Sequence, residues 1–199
     1  MTKVKFCGLR RPADIEYANE LKPDYIGFVF AKKSRRYVTP EAAKELKAIL
    51  LPEIKVCGVF VNEDTDEVLR LLDEGIIDIA QLHGSEDEAY IRELKSRTNA
   101  PVIRAFKIGN AEDVQAAQDS SADMVLLDSG EGSGQTFNWQ LIKDISRPYF
   151  LAGGLAPENV SAAITALNPY ALDVSSGIET DGFKDRTKME KFLRAVRSV

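Results

Sequence analysis

The sequence predicts an α/β fold, a single-domain (β/α)8 TIM barrel over residues 1–199. Short apolar runs rich in β-branched residues alternate with segments of helical period, and eight such pairs follow one another. Continuous apolar strands joined by helices indicate parallel strands that are buried on both faces. Eight repeats in fewer than 200 residues favour a closed barrel over an open sheet. The first run also lacks the Gly-x-Gly-x-x-Gly sequence that would support a dinucleotide-binding open sheet.

The predicted strands are spaced as βα units, one after another along the chain. Their boundaries, taken from the apolar runs, are Lys3–Cys7, Asp24–Val29, Ile54–Val61, Ile77–Gln81, Val102–Phe106, Met124–Leu127, Tyr149–Ala152 and Ala171–Val174.

Between several of these strands, the sequence contains residues that are typical of helix N-termini. Thr39 precedes a proline at the first helical position, and Ser85 with Glu88 has the spacing of a capping box. Asn62 and Asn110 are predicted as further N-caps. The final segment predicts an amphipathic helix that closes the barrel, with one apolar stripe formed by Met189, Phe192, Leu193 and Val196.

Composition narrows the possible partners. The 26 basic and 31 acidic residues give a net charge of −5, which excludes a general attraction to nucleic acid or to an anionic membrane. Neither a targeting signal nor a run of 18 apolar residues is present, so we expect a cytoplasmic protein. Two cysteines are too few for a disulfide framework, and a single histidine argues against a histidine-rich metal centre.

Two glycine-containing loops follow the seventh and eighth predicted strands. These loops commonly form the phosphate site of a barrel, from backbone N–H groups that glycine allows the ligand to approach. Either pair alone would be read as an ordinary turn, but both together predict a phosphate site. Its residues are Gly153, Gly154, Ser175, Ser176 and Gly177.

A thiol and a carboxyl end two other strands and form the candidate catalytic pair. Cys7 ends the first strand and Asp128 follows the sixth, so both should face the mouth of the barrel. An isolated cysteine is often a core residue, as we expect for Cys57, and an aspartate is often a helix cap or turn residue. Together, however, a thiol and a carboxyl suit proton transfer in a sugar phosphate.

Three further features lie at strand ends. Arg35 and Arg36 form either a solvated basic turn or a clamp for a carboxylate. His83 is either structural or a binding residue. The Gly- and Ser-rich stretch Ser129–Thr136 is a candidate lid.

The strand-end segments resemble those of the phosphoribosylanthranilate isomerase family along nearly the whole chain. Any one segment is a weak signal, but seven in order at matching spacing are highly specific. They are Lys-Phe-Cys-Gly-Leu at 5–9, Gly-Phe-Val-Phe at 27–30, Ser34-x-Arg36-Tyr37-Val38, Gln-Leu-His-Gly at 81–84, Gly132-Ser133-Gly134 with Phe137 and Trp139, Ala-Gly-Gly-Leu-x-Pro-Glu-Asn-Val at 152–160, and Asp-Val-Ser-Ser-Gly-Ile-Glu at 173–179.

The resemblance implies an Amadori rearrangement in tryptophan biosynthesis. N-(5-phosphoribosyl)anthranilate becomes 1-(o-carboxyphenylamino)-1-deoxyribulose 5-phosphate, with no metal and no cofactor. Asp128 would act as general acid on the furanose ring oxygen, and Cys7 as the thiolate base that removes the C2′ proton. Arg36 would bind the anthranilate carboxylate, with Gln81 and His83 lining that end of the site. The protein would act on this small molecule as a monomer or homodimer.

We expect Lys5 or Arg36 to help Cys7 ionise if either cation lies close to the thiol. Activity should then rise as Cys7 ionises and fall as Asp128 loses its proton. Two alternative functions remain open from the sequence. One is another sugar-phosphate aldose–ketose isomerase, and the other is a barrel that binds a sugar phosphate without catalysis.

Overall fold

A computed structural model of the chain, which describes residues 1–128 and 139–199, contains a closed barrel of eight parallel strands. The strands pair in chain order, and β8 pairs with β1 to close the barrel. The predicted (β/α)8 fold is therefore confirmed. The strands are β1 (Lys3–Cys7), β2 (Tyr25–Val29), β3 (Lys55–Phe60), β4 (Ile79–Leu82), β5 (Val102–Lys107), β6 (Met124–Asp128), β7 (Tyr149–Ala152) and β8 (Ala171–Val174).

Helices connect the strands around the outside. In the described part of the chain the segment before β7 forms a short 3-10 helix at Trp139–Ile142, and a second one covers Ser176–Ile178. The α-helices are α1 (Pro12–Leu21), α2 (Pro40–Ala48), α3 (Thr65–Asp73), α4 (Glu88–Arg97), α5 (Ala111–Asp119), α6 (Val160–Leu167) and α7 (Arg186–Arg197). None of the helices that the structure describes is long and apolar enough to span a membrane.

The strand pleat sorts side chains between two cores. Successive side chains on a strand point to opposite faces, so alternate residues face the helices or the barrel axis. In β1, Val4 and Phe6 join the core between strands and helices, where Phe6 packs edge-on against Phe192 of α7. The intervening Lys5 and Cys7 therefore point into the barrel, where a separate cluster includes Cys57, which is buried as predicted.

The helix caps were predicted with mixed success. Thr39 and Asn110 are N-caps, since their side chains accept hydrogen bonds from the backbone N–H groups of Ala42 and Asp113. The capping box at Ser85 is wrong. Helix α4 begins two residues later, and Asp87 caps it by accepting from the Tyr90 N–H.

Asn62 is not a cap either, because Asp64 caps α3. The Asn62 backbone has a φ of 52°. Its side-chain oxygen instead accepts hydrogen bonds from the backbone N–H and the hydroxyl of Ser85, at 2.8 and 3.0 Å. The two mispredicted caps thus bind each other and tie together the loops after β3 and β4.

An antiparallel hairpin after β8 was not predicted. It consists of β9 (Glu179–Thr180) and β10 (Phe183–Lys184). The ring of Phe183 lies 4.9 and 4.6 Å from the guanidinium carbons of Arg10 and Arg11, which fixes the hairpin against the loop after β1. The candidate lid Ser129–Thr136 lies outside the described residues, as do Gly132-Ser133-Gly134 and Phe137.

Candidate active site

A cavity of about 370 Å³ opens at the carboxyl ends of the barrel strands. This is the face on which barrel enzymes place their active sites. The structure brings nine of the ten residues predicted for the site to this cavity. They are Cys7, Arg36, Gln81, His83, Asp128, Gly153, Gly154, Ser175 and Ser176; the tenth, Gly177, does not line it.

Cys7 and Asp128 face the cavity from opposite parts of the rim. Cys7 ends β1 and Asp128 ends β6, and both belong to the inward-pointing set of the strand pleat. Going one way around the barrel, only β7 and β8 separate them. The loops of these two strands are the predicted phosphate loops, so the thiol and the carboxyl flank that part of the cavity.

A buried lysine lies beneath the cavity. Lys5 is fully buried and donates hydrogen bonds to Asp173 Oδ2 at 2.9 Å and to Gln81 Oε1 at 2.7 Å. Burial lowers the pKa of Lys5, but the Asp173 carboxylate and, once they ionise, the two cysteine thiolates raise it by more, so Lys5 remains a cation. The other carboxylate oxygen, Asp173 Oδ1, is buried and lacks a hydrogen-bond partner within the described residues.

The Cys7 thiol lies in this charged surrounding. Burial raises the pKa of Cys7, and this effect outweighs the lowering by Lys5 and Lys184. The expected help from Lys5 is therefore present, but it is too weak to make Cys7 a thiolate at neutral pH in the ligand-free protein. Arg36 is held by Glu179 instead.

Glu179 holds the arginines of the loop after β2. Its carboxylate accepts from Arg36 Nε and Nη2 at 2.7 and 2.8 Å, from Arg35 Nη2 at 2.9 Å and from Lys184 Nζ at 2.8 Å. Burial raises the pKa of Glu179, but the hydrogen bonds from Arg36 and Lys184 outweigh this and lower it to about 2. A single carboxylate thus binds three cations, and Arg36, which faces the cavity, is fixed in one orientation.

Gly8 makes room for the Arg36 side chain. Its φ is 79°, and a Cβ at this position would lie 2.4 Å from Arg36 Cδ. A side chain at position 8 would therefore displace the guanidinium that Glu179 orients.

The candidate phosphate loops contain backbone N–H groups that have no hydrogen-bond partner in the described part of the chain. Gly153 and Gly154 have φ values of 89° and 62°, and their N–H groups make no hydrogen bond within the described residues. Asn159 braces this loop, since its amide donates to Gly154 O at 2.8 Å and accepts from Ala156 N at 2.9 Å. Such a preformed arrangement of N–H groups suits an anion.

Gly177 has a packing role that the sequence did not reveal. A Cβ there would lie 1.9 Å from the backbone oxygen of Leu155. The glycine therefore lets the loops after β7 and β8 pack directly against each other. On the same side, the Ser175 hydroxyl donates to Cys7 O at 3.0 Å, which links the β8 loop to the end of β1.

Sequence reasoning missed three charged residues that organise the site, namely Asp173, Glu179 and Lys184. Asp173 and Glu179 stand in the motif at 173–179, but neither had been assigned a role. The alternation of side chains along a strand places Asp173 inside the barrel with Lys5. This alternation is visible in the sequence and could have predicted the position of Asp173. Glu179 and Lys184 depend on the unpredicted hairpin, which brings the loops after β2 and β8 together.

Within the described residues, no group of three or more His, Cys, Asp or Glu side chains is arranged to hold a metal ion.

The Glu179 cluster should make stability sensitive to acid. The folded pKa of about 2 lies below the ordinary value of 4.5, so the stabilisation is complete above pH 4.5 and is lost as pH falls towards 2. We expect the free energy of unfolding to drop less between pH 5 and pH 3 in Glu179→Gln than in the wild type. Urea titrations at several pH values measure this. Glu53→Gln is the control, because it removes only the exposed ion pair between Glu53 and Lys22, which are 3.8 Å apart. Its stability should follow the wild type. Parallel curves for Glu179→Gln and wild type would contradict the assignment.

The fold and this cavity define a (β/α)8-barrel enzyme that works at the carboxyl ends of its strands. The sequence model of the N-(5′-phosphoribosyl)anthranilate isomerase family matches residues 4–195. The N-(5′-phosphoribosyl)anthranilate isomerase of Thermoanaerobacter sp. strain X514 is 46% identical over 206 aligned positions that cover 100% of both chains. That of Clostridium acetobutylicum is 45% identical over 99% of this chain and 98% of its own.

Solved structures agree with the sequence comparison. The phosphoribosyl anthranilate isomerase of Thermotoga maritima superimposes with a TM-score of 0.92 at 36% identity, over 100% of both chains. A phosphoribosyl anthranilate isomerase in complex with reduced 1-(o-carboxyphenylamino)-1-deoxyribulose 5-phosphate gives a TM-score of 0.90 at 36% identity, also over 100% of both chains. The chain belongs to the N-(5′-phosphoribosyl)anthranilate isomerase family, which confirms the resemblance drawn from the strand-end segments.

Proposed function

We propose that the chain catalyses the Amadori rearrangement of N-(5-phosphoribosyl)anthranilate to 1-(o-carboxyphenylamino)-1-deoxyribulose 5-phosphate in tryptophan biosynthesis. The observation that carries the proposal is a thiol and a carboxyl that face one cavity from either side of two phosphate-type loops. The family relationship supports it, and a solved relative holds the reduced form of this product. A cytoplasmic location and a monomeric or homodimeric state remain predictions; a solved relative from Thermotoga maritima is described as dimeric.

The barrel order suggests how the substrate lies in the cavity. Phosphate binds the N–H groups of Gly153 and Gly154 and the start of the short helix at Ser176, after β7 and β8. The sugar then extends between Cys7 on β1 and Asp128 on β6. Its aromatic end points to the part of the rim formed by the loops after β2 and β4, where Arg36 and His83 lie.

Proton transfers by Asp128 and Cys7 accomplish the reaction. Asp128 donates a proton to the furanose ring oxygen, the C1′–O bond breaks, and the nitrogen lone pair forms the Schiff base. Cys7 as thiolate removes the C2′ proton, and the electron pair moves to give an enolamine. Both protons are then returned: C1′ takes up a proton from the Cys7 thiol and the C2′ hydroxyl gives its proton to Asp128, which yields the ketone and restores both groups, so the reaction needs no net proton or electron. Asp173 lines the cavity, and its buried Oδ1 has no hydrogen-bond partner in the described part of the chain, so this oxygen is available to accept a substrate hydroxyl.

A turnover assay tests this function most simply. Purified protein is mixed with freshly prepared phosphoribosylanthranilate, and the loss of anthranilate-type fluorescence is followed together with product identification. We expect conversion to the carboxyphenylamino deoxyribulose phosphate. Tight binding of the substrate without conversion would instead support the non-catalytic sugar-phosphate barrel.

Arg36 should act mainly in substrate binding. Glu179 occupies Nε and one hydrogen of Nη2, which leaves the remaining N–H groups of the guanidinium for the anthranilate carboxylate. Arg36→Lys cannot reproduce this planar arrangement, so we expect KM to rise about tenfold or more while kcat changes less. Arg35→Lys is the matched control, because Arg35 is 62% exposed and does not line the cavity. A larger effect from Arg35→Lys would show that the wrong arginine has been assigned.

The pH dependence differs from the one expected from the sequence. Burial raises the pKa of Cys7 above its ordinary value of 9.0, so this thiol ionises late. Together the two groups can hold two protons, one proton or none. The active form, Cys7 thiolate with protonated Asp128, holds one proton. Its population therefore falls once the pH is high enough to remove this last proton. We therefore expect kcat/KM not to rise through the ordinary pKa of a thiol, and to fall only at pH values above it. A pH profile of the wild type and Cys7→Ser measures this, and the alkaline limb should shift in the variant. A kcat/KM that still rises at about pH 10 would contradict the assignment.

A further inference from the structure

A continuous chain of polar contacts crosses the floor of the cavity from β8 to β6. Asp173 binds Lys5, Lys5 binds Gln81, Gln81 binds His83, and His83 approaches Asp128. The contact between Gln81 Nε2 and His83 Nδ1 is 3.1 Å, and that between His83 Nε2 and Asp128 Oδ2 is 3.5 Å.

The direction of this chain is determined at its buried end. An ammonium group carries three donors and no acceptor, so the Gln81 atom that faces Lys5 must be the carbonyl oxygen. Lys5 is held as a cation by Asp173, 2.9 Å away, and cannot reverse this contact. The Gln81 side chain is 1% exposed, and its amide nitrogen is therefore forced to face His83.

The amide nitrogen determines the protonation of His83 in turn. An NH₂ group donates, so His83 Nδ1 must accept and carries no proton. In a neutral imidazole the proton then lies on Nε2, the nitrogen that faces Asp128. A doubly protonated ring would place two donors against each other at the contact between Gln81 and His83.

We propose that Gln81 is a positioning residue that fixes His83 as the neutral Nε2–H tautomer, directed at Asp128 Oδ2. The carbonyl oxygen of a carboxylic acid is its better acceptor, so an Oδ2 that accepts this N–H leaves the acid proton of Asp128 on Oδ1. The 3.5 Å separation is long for a hydrogen bond in the ligand-free protein, as is common before substrate binds. The inference deepens the proposed function, because it specifies which oxygen of the general acid gives up the proton.

The single histidine of the chain makes the tautomer directly measurable. In protein without a histidine tag and labelled with ¹⁵N, a long-range ¹H–¹⁵N spectrum reports the two ring nitrogens of His83 alone. We expect the wild type near pH 7 to show a protonated Nε2 and an unprotonated Nδ1. A wild-type spectrum with the Nδ1–H tautomer would overturn the proposal, whatever any variant does.

Gln81→Glu tests the role of the amide. A carboxylate still accepts from Lys5, but it cannot donate to His83 Nδ1 and instead attracts a proton there. We expect the ring to change to the Nδ1–H or doubly protonated form, and kcat to fall about tenfold or more with a smaller change in KM. Gln115→Glu adds the same charge on the exposed face of α5 and should leave both the spectrum and kcat unchanged. An unchanged ring spectrum in Gln81→Glu would overturn the proposal.

The spectrum is recorded without substrate, which separates this inference from the proposed function. A correct tautomer in a protein that fails to turn over phosphoribosylanthranilate would count against the function alone. Full turnover with the wrong tautomer would count against the positioning role alone.

Discussion

Cys7→Ala and Asp128→Asn should each lose at least about a hundredfold in kcat, the lower end of what general acid or base catalysis contributes. Each substitution removes one proton carrier and leaves the phosphate loops and Arg36 in place. Binding of the reduced product analogue should therefore remain within a few fold of wild type. Steady-state kinetics together with a binding titration measures both quantities.

Cys57→Ala is the matched control for the thiol. Cys57 lies in β3 with its side chain fully buried in the cluster inside the barrel, and burial raises its pKa to about 12. It therefore takes no part in proton transfer, and its replacement should reduce stability at most. Near-full turnover in Cys7→Ala, or loss of turnover in folded Cys57→Ala, would contradict the assignment of the base.

Lys5→Met should destabilise the fold by about 3–5 kcal/mol, because it leaves the buried Asp173 carboxylate without its cation. The same substitution removes the donor to Gln81. Replacement of both charged partners, in Lys5→Met with Asp173→Leu, should recover much of the lost stability, since an apolar pair has no charge to desolvate. Urea unfolding of the three variants measures the change.

Lys44→Met provides the comparison for an exposed pair. Lys44 is 67% exposed and lies 3.8 Å from Glu74, so its loss should cost less than about 1 kcal/mol. If Lys5→Met were no more destabilising than Lys44→Met, the buried pair would not be a structural element of the barrel.

The strand ends were predictable because two simple regularities act together. Parallel strands bring their carboxyl ends to one face of the barrel, and the pleat turns every second residue inward. These rules suffice to bring Cys7, Gln81 and Asp128 to one cavity although they are distant in sequence. The glycines at 153 and 154 follow from the need for φ values near 90° and 60° in the same region.

The residues that orient the site were less accessible from the sequence. Glu179 lies after the last barrel strand, and its partners Arg36 and Lys184 are brought to it by the hairpin and by the loop after β2. The spacing of apolar residues predicts strands and helices, but it does not predict such a contact between loops. Ser85 was assigned to a cap because its spacing to Glu88 fits one, whereas the tertiary contact with Asn62 uses its hydroxyl.

A crystal structure with reduced 1-(o-carboxyphenylamino)-1-deoxyribulose 5-phosphate tests most directly whether Cys7 and Asp128 flank the reacting carbons. We predict the phosphate on the N–H groups of Gly153, Gly154 and Ser176, and the anthranilate carboxylate on Arg36. The carbon derived from C2′ should lie about 3–3.5 Å from the Cys7 sulfur, the separation of a reactive contact. A phosphate bound away from these loops, or a C2′ beyond the reach of Cys7, would contradict the account.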